Sequence, residues 1–253
     1  MNIRGFYTLF YKEVLRFAKV WLQTLGAPIV TSLMYLLVFA HVLEGRMQVF
    51  EGVSYSAFLI PGLMMMSLIQ NAFANSSSSI IQSKVTGNIV FLLLAPLSYL
   101  EMYLAFMLAA VVRGIVVGLG VLLVGIFFVD LPLHSVSLVL LFGVISGAVL
   151  ASFGVIAGIW AEKFDQLAGA QNFIIMPLSF LSGVFYSIHS LPTFWQNASH
   201  FNPFFYMIDG FRYGFFGVSD VHPWFSLTVL LLFLALLAVV NLVLLSGGYR
   251  LRD

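Results

Sequence analysis

The sequence predicts an all-α integral membrane protein of six transmembrane helices with both termini in the cytoplasm, and three observations predict it. Only 8% of the 253 residues are charged and 61% are hydrophobic, whereas a soluble domain has about a quarter and about half. The mean hydropathy is +1.05, and 11 Lys and Arg with 10 Asp and Glu cannot cover a core of this size in water. Nearly uncharged apolar stretches recur at the roughly 20-residue length that a helix needs to cross hydrocarbon about 30 Å thick. The 26 Phe, 10 Tyr and 4 Trp fit lipid contact and interfacial belts. A net charge of +1 points to no nucleic-acid partner, and zero Cys excludes disulfides, thiolate metal sites and cysteine nucleophiles.

Residues 1–20 read as an interfacial amphipathic helix ahead of a single transmembrane domain, 21–253. Lys12, Arg16 and Lys19 fall on one face, with Phe6, Phe10, Val14, Phe17 and Trp21 opposite. Such a helix draws its cations to anionic inner-leaflet headgroups while its aromatic face enters the acyl boundary. A plain helix packed on the spans is the alternative. The six spans run from about Trp21 to Val42, Tyr55 to Ser77, Tyr99 to Val129, Ser135 to Ala161, Leu167 to Tyr186 and Trp224 to Ser246.

The apolar tract Ile89 to Val129 is too long for one crossing and must hold two elements. Pro96 supplies the break, since it lacks an amide donor and disfavours a helical Ala95. Val85 to Ala95 then becomes a short helix lying along the membrane face. With the N-terminus inside, the inner side holds Arg4, Lys12, Arg16, Lys19, Lys84, Lys163, Arg250 and Arg252, and the outer side Arg46 and Arg212. That bias sets the orientation.

Motifs for nucleotide hydrolysis, zinc peptidase chemistry and the hydrolase elbow are absent. All ten acids fall at or beyond predicted span ends, whereas an ion-coupled carrier usually keeps one near the midplane. Five histidines scattered at predicted outer ends lack metal-ligand spacing. Arg113 does sit deep in the third span, at about 2.5 to 3.5 kcal/mol on insertion scales. It reads either as part of a polar or anionic path or as a structural contact to carbonyls or amides. Gln70, Asn71, Asn75 and Ser76 to Ser79, with Gln171 and Asn172 in the fifth span, must face protein or a cavity. They serve interhelical bonding or line a path. Gly114/Gly118, Gly143/Gly147 and Gly154/Gly158 allow close helix approach, within one bundle or across a dimer seam. Tyr186 to Pro223 is aromatic but broken by Pro192, Asn202-Pro203 and Gly210, and reads as short helices dipping into the outer leaflet and returning.

Three stretches in order resemble the membrane subunit of ABC-2 type ABC transporters, and the likeness covers essentially the whole chain. They are Phe58-Leu59-Ile60-Pro61-Gly62-Leu63, then Gly87-Asn88-Ile89 through Leu94-Ala95-Pro96-Leu97, then Ser182-Gly183-Val184-Phe185-Tyr186 with Leu191-Pro192, Asn202-Pro203 and Arg212. The resemblance implies a permease of an exporter that pairs with a second copy of itself and with two cytoplasmic ATPase subunits. This chain would bind no cofactor; ATP and Mg belong to that partner. It also implies a coupling helix at about 83–96, with Lys84, Thr86, Gly87, Asn88, Ala95 and Pro96 meeting the ATPase. A re-entrant helix pair at about 187–222 would be bounded by Phe185, Tyr186, Pro192, Trp195, Asn202, Pro203 and Arg212. The second and fifth spans would line the path, and the location would be a bacterial inner membrane, among its lipids. Relatives commonly carry acids where this chain has Val90-Phe91, so an acid-mediated contact to the ATPase is not carried over. An intramembrane lipid-modifying enzyme and an ion-coupled carrier are the competing readings.

Overall fold

A computed structural model describes residues 2–43, 50 and 52–250. Arg46, Arg252, Glu44, Glu51 and Asp253, all used in the charge reading, lie outside the described residues. Every regular element among the described residues is helical. Five helices are long and apolar enough to cross a bilayer: α2 (Trp21–Leu43), α3 (Tyr55–Val85), α5 (Tyr99–Gly125), α6 (Val136–Trp160) and α11 (Pro223–Gly247). They are joined by α1 (Ile3–Ala18), α4 (Ile89–Leu94), α7 (Phe164–Ala170), α8 (Met176–Phe180), α9 (Thr193–His200) and α10 (Pro203–Phe216).

Helix α3 is the axis of the bundle, packed mainly between α5 and α6 and touched by α2 and α10. In its most apolar stretch 83% is buried, against 11% for α2 and 17% for α11. The two outer helices therefore leave broad apolar faces for another apolar medium, as expected in lipid. Small residues let α3 be surrounded. A side chain added at Gly114 would meet the Leu68 carbonyl oxygen at 2.8 Å, one at Gly158 the Ser77 carbonyl oxygen at 2.9 Å, and one at Gly147 a Leu68 methyl at 3.3 Å. The paired glycines thus pack α5 and α6 onto α3 inside one chain.

Three boundaries differ from the sequence expectation, one of them the end of α5, which stops at Gly125, four residues short of Val129. Helix α3 runs to Val85, two turns past Ser77; its 31 residues span about 46 Å at 1.5 Å per residue, more than the hydrocarbon layer. Gly87, at φ +73°, then turns the chain in a conformation costly for other residues. The short helix accordingly begins only at Ile89. It ends at Leu94, because Ala95 before Pro96 is extended at ψ 144°.

The expected fifth span, Leu167 to Tyr186, is interrupted. Helices α7 and α8 are joined by one widened turn, Gln171–Ile175, immediately ahead of Pro177. Proline has no amide donor for the preceding turn, which relaxes the regular bonding there. The continuous run ends at Phe180, and its 17 residues reach only about 25 Å.

Candidate functional site

At one end of the bundle α1 is pinned at both of its ends. Asn2 begins it: its side chain accepts from Gly5 N–H at 3.0 Å, its amide donates to the Pro96 carbonyl at 3.1 Å, and its backbone N–H donates to Glu101. Glu101 is also the partner of Ser98 in a capping box that starts α5. At the other end Arg16 donates through Nη2 to the Asn75 carbonyl at 2.6 Å and to Asn75 Oδ1 at 3.0 Å. Its Nε meets Glu13 at 3.1 Å, and Lys12 reaches the other Glu13 oxygen at 3.0 Å. Glu13 is completely buried. Thus the side of α1 that packs inward carries Leu9, Glu13 and Phe17, while Ile3, Tyr7, Tyr11 and Leu15 are exposed.

Arg113 enters this cluster from α5. Its Nη2 donates to Asn71 Oδ1 at 3.1 Å and its Nη1 to Asn75 Oδ1 at 3.4 Å, while Nε is buried with no acceptor. Two guanidiniums from different helices therefore share one amide oxygen. Gln70 is half-buried and Asn172 exposed; neither they nor Gln171 hydrogen-bonds to this cluster among the described residues. Ser76 instead donates to the Ala151 carbonyl at 2.8 Å, tying α3 to α6. Replacing Asn75 by leucine should remove the shared acceptor and cost about 1.5 to 3 kcal/mol, the usual worth of a hydrogen bond to a charged group. The readout is a lower thermal midpoint together with faster tryptic cleavage after Arg16 or Lys19; unchanged cleavage would show that α1 is held without Asn75.

Beside the cluster lies α4. Val90, Phe91 and Leu94 point outward, exposed by 53%, 73% and 77%, while Ile89 is buried. Thr86 and Asn88 are exposed, and Thr86 Oγ1 returns to the Gln82 carbonyl at 2.8 Å. Lys84 is engaged inward: its ammonium donates to the carbonyls of Ile159 and Ala161 at 2.8 and 2.6 Å, satisfying the carboxyl end of α6. Pro96 carries the carbonyl that Asn2 uses.

At the opposite end of α3, two of the three sequence stretches meet around Arg212. This guanidinium is buried, 3.6 Å over the Phe58 ring, and its Nη2 donates to the carbonyls of Gly183 and Val184 at 2.9 and 3.4 Å. Gly62 is needed because a side chain there would lie 2.8 Å from the Val184 oxygen and 3.2 Å from Arg212 Nη2. Gly183 is needed because its φ is +81°. Tyr55 donates to the Phe185 carbonyl at 2.9 Å, and the Phe185 ring packs tilted against Phe39, their centroids 4.7 Å apart. Tyr186 donates to the Phe180 carbonyl at 3.1 Å. Asn202 caps α10 through Phe204 N–H at 3.0 Å, with Pro203 as the first helical residue, and ties back to the Leu178 carbonyl at 2.8 Å. Pro192 precedes α9, where Trp195 is exposed.

Asp209 does not spend its carboxylate on Arg212, as their spacing invites. It accepts from the N–H groups of Asp220 and Val221 at 2.8 and 3.1 Å. Asp220 in turn accepts from Ser187 Oγ at 2.8 Å and Ile188 N–H at 3.1 Å. This relay, which links both sides of the 187–222 segment, has no short-range signature. Glu13 and Glu101 were legible in part, through Glu13/Arg16 at i, i+3 and the Ser98-x-x-Glu101 pattern.

The sequence profile described as ABC-2 type transporter matches residues 4–216. The chain belongs to the ABC-2 type transporter family. It is 38% identical over 246 residues to the inner membrane transport permease YadH of Escherichia coli (strain K12), covering 97% of this chain and 96% of that relative. It matches YadH of Shigella flexneri equally. The capsule polysaccharide export inner-membrane protein CtrC of Neisseria meningitidis serogroup A is 29% identical over 213 residues, 76% of this chain and 74% of that relative. The permease is thus a multi-pass inner-membrane protein of a bacterium and a transport protein rather than an enzyme.

Proposed function

We propose that this permease is the membrane half of an ATP-driven exporter. Two copies pair, each working with a separate cytoplasmic ATPase subunit that binds ATP and Mg. Both termini lie in the cytoplasm, and the interrupted run from Phe164 to Phe180 completes a sixth crossing. Helices α9 and α10 form an outer re-entrant pair, and α1 rides at the inner interface among membrane lipids. Gln70, Asn71, Asn75, Arg113, Gln171 and Asn172 contribute polar groups toward the path. Export agrees with the relative CtrC, a capsule polysaccharide export protein.

The observation that carries the reading is α4, a six-residue helix that directs Phe91 and Leu94 away from the bundle between the long end of α3 and the start of α5. Bare apolar side chains beside a basic helix mark a surface for another protein or a membrane to cover, and we assign the ATPase to it. Val90-Phe91 then makes an apolar contact to the ATPase where relatives place acids. Because α1, α3 and α5 meet beside α4, a push on α4 is passed to helices whose rotation rearranges the bundle.

The chain has no Cys, which makes the test direct. Phe91→Cys, in membranes holding the permease and its ATPase, should cross-link to the ATPase and resist a membrane-impermeant thiol reagent added from outside. Labelling from outside would overturn both the orientation and the coupling role.

A further inference from the structure

Between α1 and the α3/α5 seam lies a cavity of about 660 Å³ lined by Lys12, Arg16, Lys19 and Arg113. No acid lines it among the described residues. The neighbouring carboxylate, Glu13, is already taken by Lys12 and Arg16. Arg113 has only the neutral amide oxygens of Asn71 and Asn75, and its Nε has no acceptor. A guanidinium held this deep with no counter-charge is costly to bury. Apart from the neutral polar Thr8 and Gln82, the other walls are apolar or aromatic: Tyr11, Leu15, Phe17 and Val20. Cations at one side and hydrocarbon at the other match an amphiphile with an anionic head.

We infer that this cavity binds the phosphate-bearing headgroup of an anionic amphiphile, with Arg113 and Arg16 on the phosphate and the α1 wall against the first part of its chains. Arginine suits this because its planar fork meets two phosphate oxygens at once. Lys12 and Lys19, both exposed, act at the mouth as point charges. Seated there, the amphiphile would tie α1 to α5 through Arg113, so its occupancy would bear on the elements beside α4. Only the leaflet that supplies it rests on the orientation proposed above; binding itself does not.

The test uses the full-length chain taken from vesicles of equal parts phosphatidylcholine and phosphatidylglycerol, with retained lipid counted by native mass spectrometry. The wild type should keep phosphatidylglycerol in preference to phosphatidylcholine. Arg113→Gln should lower that retention by roughly tenfold, as expected for loss of one charge-assisted contact, and Arg113→Lys should restore part of it. Lys19→Gln, at an exposed position where folding is not at stake, should weaken retention by a smaller factor. Added inorganic phosphate separates the sources. Displacement of the lipid shows that the phosphate group alone is recognised, and persistence shows that the chains are needed as well; either supports the site. Equal retention of the two lipids by the wild type, or undiminished phosphatidylglycerol in both Arg113→Gln and Lys19→Gln, would overturn it.

Discussion

Gly154→Val should break the centre of the bundle. A side chain at Gly154 would begin 2.2 Å from Ser76 Oγ and 2.5 Å from the Phe73 carbonyl oxygen. The second of these is backbone in the middle of α3, which cannot step aside without moving a helix packed on every side. Ser76 must also give up its 2.8 Å bond to the Ala151 carbonyl, one of the ties between α3 and α6. Overpacking costs about 1 to 3 kcal/mol and occasionally more, and a lost buried hydrogen bond adds about 1 kcal/mol. The sum, about 3 kcal/mol or more, is a large part of an ordinary fold's 5 to 15 kcal/mol. Thermal unfolding in detergent reads it. Gly169→Ala is the control: nothing lies within 4 Å of the position, and alanine improves helix propensity by up to about 1 kcal/mol. If the two variants melted alike, the close approach of α6 to α3 would be wrong.

Arg212→Leu should loosen the opposite end. Leucine keeps some apolar contact with Phe58 but leaves the Gly183 and Val184 carbonyls without their donor. An unpaired buried acceptor costs about 1 to 3 kcal/mol, and a desolvated cation over a ring is worth about 2 kcal/mol. The loss, about 3 kcal/mol, falls on the turn that carries Gly183 to Tyr186 and on the Asp220 relay just beyond it. Amide exchange across 183–191 should rise strongly while residues 2–18, held by Asn75 and Glu101 at the far end, exchange as before. Arg212→Lys should recover only part, since an ammonium cannot reproduce the flat guanidinium over the ring. Unchanged exchange across 183–191 would show that the turn is held by Tyr55 and Phe185 without Arg212.

Much of this architecture could be read before any coordinates. The expected spans Trp21 to Val42, Ser135 to Ala161 and Trp224 to Ser246 lie within a residue of α2, α6 and α11 at each end. The break at Pro96 follows from backbone chemistry alone, whereas the turn at Gly87 falls inside the short helix that the sequence led one to expect. The interruption of the fifth stretch escaped because a mean hydropathy is blind to a widened turn; Pro177 was the local signal. For the first helix the sequence left an interfacial and a packed reading side by side. Lys12, Arg16 and Lys19 share a face on any helical projection, yet Glu13 lies next to them and draws that face partly inward, toward Asn75.

The polar residues show the same division. Arg113 needed a partner on desolvation grounds, and the amides of the second span were reasonable candidates. Which amide it finds, and that Arg16 shares it, depends on the relative rotation of α1, α3 and α5. Gln171 and Asn172 offered the same chemistry but lie on a segment that never joins the cluster.

Membrane residence, the long apolar helices and the break at Pro96 were written in the residue order. Transfer into lipid is a sum over a segment, and a sum can be taken from letters. The shared amide of Asn75, the burial of Glu13, the seat of Arg212 against Gly62 and Gly183, and the cationic cavity under α1 were decided only by tertiary packing. Each requires atoms from helices tens of residues apart to come within about 3 Å, the range in which hydrogen bonds form, and no local property of the chain sets that distance.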